Sequence, residues 1–495
     1  MSDVFAHRAF MLDVSRDRVP TNDTLDWLVG VLAATGFNEL QLYVEHTFDY
    51  VGHDAVWAAA SPLTHDDMGR LDERCQAAGV TLVANMNGFG HMGRWLALDK
   101  YRDRAECPDG FDSLFGGGQS PPSCFAPTVE NAALAVELAR DMASVVRERR
   151  IHIGGDEPFE LGDGVSAADV AARGRDEVYL EHLRRIIEPL QAEGFEIMFW
   201  ADLFRRDPSL IPRIPAGAVP VVWNYEAPAE FSWLDFLEPE FVERLGLPDD
   251  ANLGFAAHAR QFVDAGEPFW VAPGTSTWNT VIGRNPNAAA NIADAVAVGG
   301  ANHSPGFLLT DWGDGGHWQP LAVSLPSIVR GGAAATTGIV PDDVTVWSVI
   351  DRVLGCDRGI GELVDRLGDI AESIGVSSPN GSALSAALGG SAMPVLGTAD
   401  PDGIEAAHAL LVDAIARFDD GSIGGERGEI VAAEMAAACR LALHGLVRVA
   451  ADHGVDTGVP PTLGTFEGAI VAQRAAWLLS SRPGGLDDSL AKLRR

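Results

Sequence analysis

Two adjacent carboxylates, Asp156 and Glu157, end the hexapeptide His152-Ile153-Gly154-Gly155-Asp156-Glu157. Paired carboxylates are equipment for general acid–base chemistry, provided that both reach one pocket. Successive side chains of a regular strand point to opposite faces, so these two can share a pocket only where the chain leaves the pleat. Gly154 and Gly155 permit that departure. Upstream, Met142 to Arg150 reads as the basic end of an apolar-periodic helix, and Ile151 to Ile153 as a short strand. The acidic pair therefore stands where a strand gives way to a loop, the place where a β/α barrel keeps its chemistry. A bare Gly-Gly-Asp-Glu would serve equally well as the cap of a following helix.

Other strand ends carry polar and aromatic residues that a structural end does not need. Tyr43 to Tyr50, Asn85 to Met92, Trp200-Ala-Asp202, Trp223-Asn-Tyr225-Glu226, Gly274 to Asn279 and Thr310 to Trp318 each follow an apolar run. Four of the twelve tryptophans, at 200, 223, 278 and 312, lie at such ends. Aromatic walls with a few fixed carboxylates and amides suit a sugar, whose C–H faces pack on rings while its hydroxyls need directed partners. A single tryptophan is more often core than pocket, so the shared position is what argues for a site.

The elements that must position these residues alternate from the start of the chain. Strands are expected at Ala9 to Val14, Glu39 to Val44, Val80 to Met86, Ile151 to Ile153, Glu196 to Trp200, Val219 to Trp223, Pro268 to Ala272 and Gly306 to Leu309. Helical periodicity follows them at Asp23 to Ala34, His65 to Ala78, Val129 to Arg147, Glu177 to Ala192, weakly at Pro208 to Ile214, then at Ala256 to Ala265, Ala288 to Ala297 and Gln319 to Arg330. Eight such units predict an α/β fold, a (β/α)8 TIM barrel over residues 1–335, with its site at the strand C-termini. From 336 to 495 the pattern predicts a C-terminal α-helical domain, with Ser377 to Pro401 as a loop inside it.

Composition narrows the function classes. A chain of 495 residues with 36 basic and 70 acidic side chains carries a net charge of −34, which repels nucleic acid and anionic membrane. No run of about 20 uncharged apolar residues predicts a membrane span. The first residues lack the basic and apolar parts of a signal peptide, which leads to the expectation of a cytoplasmic protein. Five scattered cysteines without Cys-x-x-Cys spacing read as reduced thiols.

The hexapeptide, taken with Arg8 to Asp13, Tyr43 to Tyr50, Gly88 to His91, Trp200 to Asp202, Trp223 to Tyr225 and Thr310 to Asp314, resembles glycoside hydrolase family 20. Within that family of β-N-acetylhexosaminidases it is most similar to the hexosaminidase D-like branch, over roughly residues 8–330. Asp314 departs from the Glu that many members place there, and the small α/β domain that often precedes the barrel is missing.

What the resemblance implies is exo-acting, retaining removal of terminal N-acetylglucosamine or N-acetylgalactosamine, with the substrate's own acetamido oxygen as nucleophile and an oxazolinium intermediate. It makes Glu157 the general acid and base, Asp156 the partner of the acetamido N–H, and Tyr225 the hydrogen-bond donor to the acetamido oxygen. Trp200, Trp278 and Trp312 would enclose the sugar, and Arg8 would bind its distal hydroxyls with Asp314. His91, His152 and Asp202 complete the expected substrate-binding set. The implied partner is a small glycan or glycoconjugate, no cofactor or metal is expected, and a homodimer is left open.

Three other readings stay open on the residues alone. A metal-dependent barrel hydrolase could gather His91, His152, Asp156 and Asp202, although neither His-x-His nor His-Glu-x-x-His occurs. A two-carboxylate retaining glycosidase could use Glu226 or Asp314 as nucleophile. A non-catalytic sugar-binding barrel would be marked by loss of the acid, and Glu157 is present.

Overall fold

The computed structural model describes residues 3–15, 18–113, 118–205, 207–230, 233–237, 239–356, 359–390, 393–420, 423–425, 427–455 and 464–493. Eight parallel strands close on themselves: β1 (His7–Asp13), β2 (Glu39–Val44), β3 (Thr81–Met86), β4 (Arg150–His152), β5 (Glu196–Trp200), β6 (Val219–Trp223), β7 (Trp270–Ala272) and β8 (Gly306–Asp311). β1 pairs with both β2 and β8, for example Ala9 with Glu39 and with Leu308. All six residues of β2 and of β8 are buried, so even the polar Glu39 and Gln41 of β2 face the barrel's interior network rather than solvent.

The outer ring holds α1 (Asn22–Thr35), α2 (His65–Ala77), α3 (Val129–Ala143), α4 (Arg175–Ala192), α5 (Phe255–Ala265), α6 (Asn285–Ala301) and α7 (Leu325–Thr337). Local chemistry starts them: Thr21, Thr64 and Thr128 each accept the backbone N–H three residues on, and Asp67 closes a capping box on Thr64. After β5 a six-residue 3-10 segment, Pro208–Arg213, stands where a full helix would be, because prolines occupy its first and fifth positions.

The end of the barrel where the strands begin is cross-linked by polar groups. Arg150 donates to Glu39 at 2.5 Å and to Glu196 at 3.0 Å, while Gln41 donates to Glu39 and Asn85 to Gln41, both at 2.8 Å. Arg8 belongs to this end. Its Nε donates to the Gly36 carbonyl at 2.7 Å, and its guanidinium pairs with Asp3 at 2.9 Å.

Beyond α7 the described residues are mainly helical and pack against the barrel. Gly428–Asp452 is long and apolar enough to cross a membrane by length and composition, yet 72% of its apolar window is buried inside this fold. It contributes Glu434, which receives Arg18 at 2.8 Å beside the Trp477 ring. The stretch expected to be a loop, Ser377 to Pro401, contains a helix at Ala383–Leu388 and a strand, Leu396–Gly397, antiparallel to Val376–Ser377. Ser382 starts that helix by accepting the Ser385 N–H, a cap too short-ranged to stand out among so many glycines and serines.

Candidate active site

At the opposite end, the chain leaves β4 through Gly154 and Gly155 at φ of 70° and 92°, conformations open to glycine. Glu157 follows at φ 48°, a left-handed conformation that is costly for a residue with a side chain. The outcome is that Asp156 and Glu157 both line one cavity of about 320 Å³. His91 fixes the pair, its Nε2 lying 3.2 Å from Asp156 Oδ2 and 3.4 Å from Glu157 Oε2. Asn87 donates to Asp156 Oδ1 at 2.7 Å, so both oxygens of that carboxylate are oriented. A Cβ at residue 90 would sit 2.3 Å from the Asp156 carbonyl oxygen, so Gly90 lets the two loops meet.

Aromatic rings form the walls. Trp200 and Trp312 lie 6.0 Å apart, Tyr225 stacks on Trp223 at 5.2 Å, and Trp278 meets the Tyr225 ring edge-on at 5.1 Å. The Tyr225 hydroxyl reaches inward toward Trp312 and Thr310, and burial raises its pKa, so it remains a donor.

Five of the eight expected substrate-binding residues, His91, Trp200, Trp278, Trp312 and Asp314, line the cavity. Three do not. Arg8 lies at the far end of β1, a barrel length away, because the strand begins at His7 and Arg8 is only its second residue. His152 is buried beneath Trp200, with ring centroids 4.4 Å apart. Its Nδ1 accepts the Gly154 N–H, and burial pulls its pKa down to about 3, so it is a neutral packing group. Asp202 lies behind the wall, where it accepts the Glu157 N–H at 3.1 Å and the Trp223 indole N–H at 3.2 Å. Burial pushes its pKa up to about 6, with Arg205 opposing and Asp156 reinforcing the shift.

Several contributors carried no signal that marked them as part of the site. Arg205 is buried over the Trp223 ring at 4.0 Å, and among the described residues no guanidinium nitrogen has a hydrogen-bond partner. Burial lowers its pKa to about 10, while Asp202 opposes the change. From the C-terminal helical part comes Asn380, whose Oδ1 accepts the Trp278 indole N–H at 2.8 Å and whose backbone N–H donates to Glu226 at 2.7 Å. Glu226 is further held by both Nη atoms of Arg284 at 2.9 Å. Among the described residues, no group of three or more His, Cys, Asp or Glu side chains is spaced to hold a metal ion.

Comparison with known proteins bears on this arrangement. Residues 5–232 match the family model described as glycosyl hydrolase family 20, catalytic domain. Among solved structures, the fold is similar to the β-N-acetylhexosaminidase from Bacteroides fragilis NCTC 9343, at 13% identity, covering 71% of this chain and 70% of that one, with a TM-score of 0.51. It is also similar to the GH20 exo-β-N-acetylglucosaminidase of Vibrio harveyi, solved in complex with N-acetylglucosamine, at 12% identity, covering 72% of this chain and 60% of that one, with a TM-score of 0.50. At such identities the likeness is one of fold. No curated protein sequence matches the chain.

Proposed function

We propose that the chain is an exo-acting β-N-acetylhexosaminidase of the hexosaminidase D-like kind, working by retaining, substrate-assisted hydrolysis. The observation that carries this reading is the adjacent carboxylate pair facing one cavity and held by a single imidazole. Glu157 donates a proton to the glycosidic oxygen as the acetamido oxygen attacks the anomeric carbon, then takes a proton from the water that opens the oxazolinium ring. Asp156, oriented by Asn87 and His91, accepts the acetamido N–H and stabilises the positive charge that develops there. Tyr225 donates to the acetamido oxygen, and Trp278 bounds the methyl group.

The two-carboxylate alternative loses one of its two candidate nucleophiles, since Glu226 is engaged by Arg284 and the Asn380 N–H. The deciding experiment presents methyl and aryl N-acetyl-β-glucosaminides and galactosaminides to the purified chain after exhaustive chelation, with and without a thiazoline analogue of the oxazolinium ion. Hydrolysis, strong thiazoline inhibition, and loss of that inhibition in Asp156→Asn are expected. A glycosyl ester trapped on any Asp or Glu by a fluorosugar refutes the mechanism, and activity restored only by zinc refutes the metal-free site.

A further inference from the structure

The cavity has a second lobe of different chemistry. It is walled by Leu237, Phe241, Leu245 and Leu247, on and around the short helix Pro239–Arg244. Phe241, Leu245, Leu247 and Ala251 form a small apolar cluster of their own, with Phe159, Leu237 and Trp223 packed against it. Phe159, Leu237, Phe241, Leu245 and Leu247 all line the same cavity as Asp156 and Glu157. Trp223 joins the two lobes, since it also packs on the cluster inside the barrel.

The lobe is fastened to the acid's own loop. Phe159 stands two residues after Glu157, and its ring centroid lies 5.9 Å from that of Phe241. Arg244, on the lobe's helix, donates to the Phe159 carbonyl and pairs with Asp163, with Nη2 at 3.2 Å from Oδ1. This places five hydrocarbon side chains in the cavity that Glu157 lines, one of them on the acid's own loop.

Given the hexosaminidase reading, on which this inference rests, the leaving group must depart past the acid that protonates it. A second sugar there would present hydroxyls to side chains that cannot hydrogen-bond, and burying them unpaired costs free energy. We propose that the lobe is an aglycone subsite for a hydrocarbon body, so that the preferred substrates are N-acetylhexosaminides of apolar alcohols rather than chains of sugars.

A homologous series of methyl, butyl, hexyl and octyl N-acetyl-β-glucosaminides tests this, because their leaving groups differ little in acidity. In the unmodified protein kcat/KM should climb by up to about fourfold per methylene until the lobe is filled, the ratio expected for burying one such group. Leu245→Ser and Phe241→Ser should bring the octyl-to-methyl ratio down toward one. A flat series in an active enzyme, or faster cleavage of N,N′-diacetylchitobiose than of the hexyl glycoside, overturns the subsite. Failure to cleave any glycoside, methyl included, instead overturns the hexosaminidase reading. Should either variant fail to fold, the slope in the unmodified protein decides alone.

Discussion

The two ends of this barrel use polar groups in opposite ways. Where the strands begin, Arg150, Glu39, Glu196, Gln41 and Asn85 satisfy one another. Where they end, Asp156 and Glu157 share one imidazole with Asp202 behind them, and among the described residues the buried guanidinium of Arg205 and the Trp200 indole N–H have no hydrogen-bond partner. A closed network contributes to a unique fold, whereas an open one, with strain at Glu157 and a raised Asp202, marks the end where a ligand completes the set.

The largest effect that separates the two ends should come from Glu157→Gln. The amide keeps the shape of the acid but has no proton to give, so kcat on alkyl glycosides should fall by several orders of magnitude with the melting temperature nearly unchanged. Near-normal turnover would remove Glu157 from the mechanism. Arg150→Met at the other end should do the reverse. It leaves Glu39 buried without its cation, which costs about 3 to 5 kcal/mol of stability in denaturant unfolding, while kcat of the folded fraction stays at the unmodified level. A variant that melts normally but turns over slowly would show that this network reaches the site.

How far the sequence discloses these two ends follows from the range of the forces involved. β2, β5 and β6 coincide with the expected strands because each is a short, mostly buried segment rich in apolar and aromatic residues, legible without its neighbours. The acidic pair is legible because its glycines announce the departure from the pleat. Arg8 was placed by resemblance alone; it precedes the expected strand and is second in the observed one, and either way it stands at the end opposite the cavity. Asn380 meets Glu226 across 154 residues of chain, a contact with no local signature. The apolar lobe was legible in principle, since Leu234, Leu237, Phe241 and Leu245 recur at spacings of three and four, but the run is interrupted by proline and glutamate and passes for a linker.

Acid distinguishes a third kind of polar residue, buried between the two ends and kept neutral. His182, on α4, packs against Phe89 with neither ring nitrogen hydrogen-bonded among the described residues, and burial lowers its pKa to about 3, as it does for His152. Such a histidine carries no protonation penalty above its ordinary pKa of about 6.5. As the pH falls from there toward about 3, the unfolded chain binds a proton that the folded chain refuses, so stability is progressively lost. At pH 4.5 the loss should approach roughly 3 kcal/mol for each residue. His182→Leu should therefore flatten the decline in unfolding free energy below pH 6.5 by about that amount without changing turnover, and an unaltered slope would mean that the imidazole is hydrated or paired in solution.

The smallest expected effect is the most pointed test of which end is which. Arg8 makes two hydrogen bonds to the carbonyls of Gly36 and Phe5, at 2.7 and 2.9 Å, and an ion pair with the half-exposed Asp3. Partly exposed bonds of this kind contribute about 1 kcal/mol each at most, and the surface ion pair less. Arg8→Ala should accordingly lower stability by about 1 kcal/mol and leave both KM and kcat for a methyl N-acetylhexosaminide unchanged, since β1 runs its length between this side chain and the cavity. If KM instead rose tenfold with stability intact, Arg8 would have to reach the sugar, and β1 could not run in the register that pairs Arg8 with Phe307 and Leu12 with Asp311. The same substitution thus checks the direction of the strand on which the assignment of the two barrel ends depends.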